Sequence, residues 1–397
     1  MYKIIFLIFL TLLFFGCSNR NEQQRNRSET LFSADVSEDH FEHKITVDYA
    51  QGFKVEYFPN YKLVTIPEPW RNAPRKVQYL LVQKGTPIPE HQDDIQVIQI
   101  PLQSIASLST THIPLLELLN VHHTLTGFSN TDYISSSKVR ELVDAKQVKD
   151  LGPDGSLNLE VLLDLQPEIL MAFGTGSNTG LINKINKMGI PVVLNADYLE
   201  QSSLGRSEWI KFASLFYNKE KEADSIFNSI RHNYDSLKLL AKEAPISPKV
   251  FSGIVYGDIW FMPGGQSWAA ELLADANADF LWKENNSKGS IELSFENVYA
   301  KASDADFWIG VASFNSLEEM ARAEPRYKGF EAHRKEKVYS YNARIGEKGG
   351  NEYMELGYAR PDIILADLIK ILHPHLLPDH QLYFYKKLPK SGSEPNI

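Results

Sequence analysis

The chain has 397 residues, a formal net charge of −9, 43% hydrophobic and 23% charged residues, and a single cysteine. That length holds two domains of ordinary size, and the composition is that of a folded rather than a disordered chain. The acidic balance argues against a nucleic-acid binder, and one cysteine excludes an intrachain disulfide and any zinc site built on several cysteines.

The chain opens Met1-Tyr2-Lys3, followed by a largely apolar run from Ile4 to Phe15 and then Gly16-Cys17. A basic start, a short apolar stretch and a small residue before the cut describe a secretory signal over residues 1–16. The run falls short of the about 20 residues that a spanning helix needs. The junction resembles a bacterial lipoprotein box, with Phe14 and Phe15 in place of its usual leucine and smaller residue. That resemblance implies lipidation of Cys17 and an exported, membrane-anchored chain in the periplasm. Residues 17–43 read as a polar tether between lipid and fold.

From Lys44 the chain alternates and is rich in β-branched and aromatic residues, with a hairpin-like pair at 53–57 and 62–66. Strands are expected at 94–99, 124–128, 168–173 and 191–195, with helices at 115–119, 159–165 and 181–188. Apolar strands alternating with amphipathic helices imply parallel sheets covered on both faces, an α/β lobe over 44–205. Residues 206–246 change to helix alone. Ala223, Phe227, Ile230, Tyr234, Leu237 and Ala241 recur at helical spacing, predicting one helix of about 25 residues that ends before Pro245. The α/β pattern then restarts, giving a second lobe over 247–388 and a Pro/Ser/Gly-rich tail, 389–397, expected to fray.

An internal repeat ties the two halves together. Residues 156–170 and 292–309 share one order: polar residue, apolar residue, Glu, apolar helix, acidic turn, buried strand. The expected fold is therefore α/β: two Rossmann-like lobes with parallel sheets, joined by a single long helix, with a ligand cleft between them.

Several segments in this order resemble class III substrate-binding proteins of ABC importers, of the ferric-siderophore and cobalamin type. They are 105–111, Gly152 through Leu165, 268–274, Glu324 through Phe330, 337–339, Arg360-Pro361-Asp362 and Ile371-Leu372-His373-Pro374. The resemblance spans roughly Lys62 to Leu388. It implies a monomer that binds a small metal chelate and works with a membrane permease and its ATPase. It also implies that Glu160 and Glu296, one on each lobe, dock against permease arginines. Read without it, each is a helix-start glutamate favoured by the helix dipole.

Chemistry beyond binding finds little support. The loop Phe173 through Gly180, with Asp197 further on, imitates a dinucleotide fingerprint, but three residues rather than two separate Gly176 from Gly180. It reads better as a cleft loop in which Gly174 lets backbone approach a ligand. His122-His123 and His373-Pro374-His375 are the closest histidine sets, too few for a metal site. Ser267 reads as a helix cap rather than a nucleophile. No catalytic residue, metal ligand or resident cofactor is expected. Thr111, Tyr133, Tyr256, Trp260 and Tyr353 are the candidate contacts for a large organic ligand, with Arg344 and Asn351 beside them for its oxygens. The ligand class expected is an iron chelate, with cobalamin or haem as alternatives. A surface scavenger without a permease and an enzyme on the same fold are the rival classes.

Overall fold

The computed structural model describes residues 38–391. The signal segment, Cys17, the first part of the tether and the end of the tail lie outside these residues. The stretch expected as a hairpin forms β1 (Lys54–Tyr57) and β2 (Tyr61–Ile66). Both belong to a four-stranded mixed sheet completed by β3 (Val77–Gln83) and β4 (Gln96–Ile100), the last parallel to its neighbour. Alternation explains its position. Val64, Ile66, Tyr79 and Leu81 join the main core of the first lobe, while Tyr61, Leu63, Leu80 and Val82 form a small core on the opposite face.

The first lobe is built on β5 (Ile105–Ser107), β6 (Leu125–Phe128), β7 (Lys149–Asp150), β8 (Ile169–Ala172) and β9 (Val192–Leu194). They run parallel in the order β7-β6-β5-β8-β9. β8 and β9 are wholly apolar and buried, as suits a sheet covered on both faces, whereas β7, Lys149–Asp150, is an exposed edge. The mixed sheet docks on its edge, where the Leu194 N–H donates to the Tyr79 hydroxyl at 2.8 Å.

The second lobe begins with β10 (Lys249–Ser252), β11 (Ile254–Tyr256) and β12 (Ile259–Pro263). It continues with β13 (Asp279–Phe280), β14 (Ser290–Leu293), β15 (Phe307–Ile309), β16 (Val338–Ser340) and β17 (Lys386–Lys387). Its main sheet runs β13-β10-β15-β16-β17, parallel except for β17. β11, β12 and β14 form a separate antiparallel sheet that the sequence pattern did not announce. The repeat is real in three dimensions. β8 lies beside β5 in one lobe and β15 beside β10 in the other, each preceded by a capped helix, Leu159–Leu165 or Phe295–Ala302.

One helix, Glu220–Ala241, joins the lobes. Its apolar stripe serves two cores. Ala223 and Phe227 pack in the first lobe, and Tyr234 and Ala241 in the second. Its 22 residues span about 33 Å at 1.5 Å per residue.

Both ends of the folded chain are held more tightly than expected. Phe41 is buried and packs edge-on to Tyr57, so residues 38–43 are part of the fold rather than tether. Next to them, Glu208 accepts N–H bonds from Asp48, Tyr49 and Ala50, and Glu200 accepts from Gln51 and Gly52. At the other end, buried Asp367 accepts from the N–H groups of Tyr383, Phe384 and Tyr385. Pro389 and Lys390 do not fray. Their carbonyls take the N–H groups of Leu317 and Glu318.

Candidate functional site at the lobe junction

Two groups of residues meet where the lobes face each other. The first starts at the end of β9. Asn195 is buried, and its Oδ1 accepts the Asp197 N–H at 2.8 Å. Burial pushes the Asp197 carboxyl up to about 6, opposed by the nearby Arg206 charge and by hydrogen bonds from the Thr111 hydroxyl and the Tyr198 N–H. Arg206 comes from the short helix Ser203–Ser207 and is only 7% exposed. Its Nε donates to the Glu200 carbonyl at 3.2 Å and its Nη2 to the Tyr198 carbonyl at 3.1 Å. Its guanidinium lies 4.7 Å from the Trp268 ring and 4.3 Å from the Tyr358 ring, both of the second lobe. These rings continue into a wall of aromatics. Trp268 meets Tyr358 at 5.1 Å, and Tyr353 stacks on Tyr341 at 4.9 Å.

The second group is a bridge between the lobes. Ile345 pairs with Asn351, closing a small loop whose Gly346 and Gly350 rest on Tyr133–Ser135. A side chain at Gly350 would strike the Tyr133 carbonyl, so this contact requires glycine. The helix that follows, Glu352–Leu356, buries Glu355, whose carboxylate accepts from the N–H groups of Ser135 at 2.7 Å and Ser136 at 2.8 Å. Burial, helped by Glu117 and Glu352, pushes that carboxyl up to about 7.

The expected contacts divide in this frame. Thr111 sits at the junction beside Asp197, and Tyr133 forms the exposed rim under the bridging loop. Arg344 and Asn351 flank that loop. The Arg344 guanidinium stacks on Tyr383 at 4.0 Å, and Asn351 caps the helix behind it. Tyr353 is buried in the aromatic wall. Tyr256 is 80% exposed at the end of β11, at the turn into β12.

Trp260 does not lie in a loop. It is a residue of β12, fully enclosed among Phe251, Phe295, Trp308, Tyr327 and Phe330, with its indole N–H on the Ser252 carbonyl. It presents no face to a ligand, because strand alternation turns it into the core. Gly174 is glycine for a reason other than ligand approach. A Cβ there would lie 2.7 Å from the Pro69 carbonyl, and the Trp70 ring also covers it. Ser267 caps the helix Trp268–Asp275, as its position predicts, and His373 is tied to the Ala276 carbonyl.

Arg206, Trp268, Tyr341 and Tyr358 were not among the expected contacts. The available signal was a lone arginine in the run Ser203-Leu204-Gly205-Arg206-Ser207, between the lobes.

Glu160 and Glu296 are the second residues of equivalent helices, whose first turns are capped by Asn158 and Ser294. Both are exposed, and Glu296 also touches Arg326 at 3.1 Å. A cavity of about 180 Å³ lies within the first lobe behind the glycine-rich loop, lined by Leu108, Phe173, Thr175, Asn178, Leu181 and Ile185. Among the described residues no group of three or more His, Cys, Asp or Glu is placed to hold a metal ion, and no helix is long and apolar enough to cross a membrane.

Two α/β lobes on one helix, meeting at a polar and aromatic junction, define a substrate-binding protein of the two-lobed class. The chain belongs to the periplasmic binding protein family, whose sequence profile matches residues 105–345. It is 28% identical over 407 residues to an uncharacterized lipoprotein of Methanocaldococcus jannaschii, covering 96% of this chain and 95% of the relative. Solved structures share the fold. One, described as a possible iron-binding (periplasmic solute-binding) protein from Staphylococcus epidermidis, has a TM-score of 0.55 at 19% identity, covering 69% of this chain and 100% of that one. A periplasmic heme-binding protein from Roseiflexus has a TM-score of 0.52 at 16% identity, covering 69% and 99%.

Proposed function

We propose that this chain is the lipid-anchored substrate-binding component of an ABC importer, held to the membrane through Cys17. It captures a ferric chelate between its lobes and delivers it to the permease, with no reaction catalysed. One observation carries the delivery step: Glu160 and Glu296 occupy the same helical position in two repeated units on either side of one helix. Two carboxylates held apart by a rigid frame give a partner orientation as well as attraction. The Arg326 pair does not block this role. An exposed ion pair is worth about 0–1 kcal/mol and exchanges readily for a permease arginine.

The test is uptake of labelled ferric chelate by cells that carry the cognate permease. A Glu160→Ala/Glu296→Ala variant should keep its affinity for the chelate and lose permease-dependent uptake. Unchanged uptake would sink the docking assignment. Haem is the second reading, favoured by the aromatic wall of Trp268, Tyr341, Tyr353 and Tyr358, since flat rings bury well against rigid aromatic faces.

A further inference from the structure

Arg206 is an unusual group to find at a lobe junction. Its guanidinium is buried, yet its bonds go to two backbone carbonyls rather than to a carboxylate. Asp197 acts on it through charge and does not pair with it, because the Asp197 carboxylate is taken by Thr111 and Tyr198. Nη1 of Arg206 is enclosed and has no acceptor. Nδ2 of Asn195, in the same cluster, is a second enclosed donor without one. Leaving a buried donor unmade is costly, and most so on a charged group. Two such donors, one on the amide that holds the Asp197 N–H and one on the arginine whose charge acts on Asp197, fit an acceptor that arrives from outside the chain.

The Trp268 and Tyr358 rings that cover Arg206 belong to the second lobe, whereas Asn195 lies at the end of β9 in the first. Arg206 stands between them on the short helix Ser203–Ser207, whose Ser203 N–H donates to Glu271 of the Trp268 helix and whose Leu204 joins the second core, while the bonds of Arg206 itself go to the Tyr198 and Glu200 carbonyls. An arginine fork with flat rings beside it is a pairing suited to an organic body carrying a planar anion.

We propose that Arg206 Nη1 and Asn195 Nδ2 receive a carboxylate of the bound ligand, with Trp268 and Tyr358 packing against its organic body. The proposal rests on the reading of the lobe junction as the ligand cleft. It narrows the ligand class to chelates and macrocycles that carry free carboxylates.

The experiment is quenching of intrinsic tryptophan fluorescence by three pairs of probes. They are ferric citrate against the hydroxamate chelate ferrioxamine B, haemin against its dimethyl ester, and dicyanocobyrinic acid against its heptamethyl ester. In at least one pair the carboxylate member should bind about tenfold more tightly or better, the scale of a charge-assisted hydrogen bond. Arg206→Gln should erase that preference while leaving the ester's affinity in place. Arg206 also ties two backbone carbonyls, so the wild-type comparison stands by itself if the variant does not fold. Equal binding within every pair that binds would overturn the carboxylate assignment and leave the cleft reading intact. Binding by none of the six would overturn both.

Discussion

Glu208 and Lys211 stand at the start of a helix, Trp209–Leu215, in which every residue is buried. Neither charge faces water, and each is satisfied by several partners. Lys211 Nζ lies 2.9 Å from Glu208, 3.2 Å from Asp224 and 2.8 Å from the Thr46 carbonyl. The Glu208 oxygens also hold the N–H groups of Asp48, Tyr49 and Ala50. Glu208→Ala would leave three N–H groups unpaired and Lys211 short of its nearest acid. Removing one partner of a buried pair costs about 3–5 kcal/mol. Urea denaturation should show a loss of that size, and an unchanged midpoint would mean that the N-terminal strap contributes little. None of this was legible locally. Glu208 reads as a helix-start residue, and its partners lie about 160 positions earlier.

The bridging loop and the helix Glu352–Leu356 act as one element, and their titration belongs at that scale. Glu355 carries a pKa raised from 4.5 to about 7, with Glu117 and Glu352 as its acidic neighbours. A raised folded-state value means that the folded chain binds more protons than the unfolded one between those limits. Stability from this group is then fully present below about 4.5 and is lost as pH rises through 7, by up to about 3 kcal/mol. His112 has the opposite sign. Burial pushes it down to about 3, so it adds stability as pH rises toward its unfolded value of 6.5. The difference between wild type and Glu355→Gln isolates the carboxylate. Measured by thermal melts from pH 4.5 to 8, the variant should gain on the wild type as pH rises, on top of a constant offset from the altered hydrogen bonds. Parallel curves would refute the assignment. The glycines of this loop were visible in the sequence, whereas Asn351, expected as a ligand contact, caps the helix that follows. That the loop rests on the first lobe was not, because Ser135 and Glu355 are 220 residues apart.

The joining helix makes the molecule one mechanical body. Phe227 seals the first core and Tyr234, two turns on, the second, where its hydroxyl also donates to Asp275 at 2.7 Å. A defect at either point is transmitted along a rigid rod of about 33 Å. Phe227→Ala should cost about 3–5 kcal/mol. Because the rod is shared, amide exchange should quicken in β10 and β15 as well as in β5 and β8. Acceleration confined to the first lobe would show that the lobes unfold independently.

The sequence by itself determined the parts whose cause is local. Helical and strand periodicity, proline stops and capping residues placed the long helix, the repeated units and Glu160 and Glu296 at helix starts, since each depends on neighbours within a few residues. Tertiary structure decided what depends on partners far along the chain. It turned Trp260 into core, gave Gly174 to the Pro69-Trp70 turn, and enclosed Arg206 between the rings of Trp268 and Tyr358. Burial and pairing are sums over segments that meet only after folding, and the lobe junction is made almost entirely of such meetings.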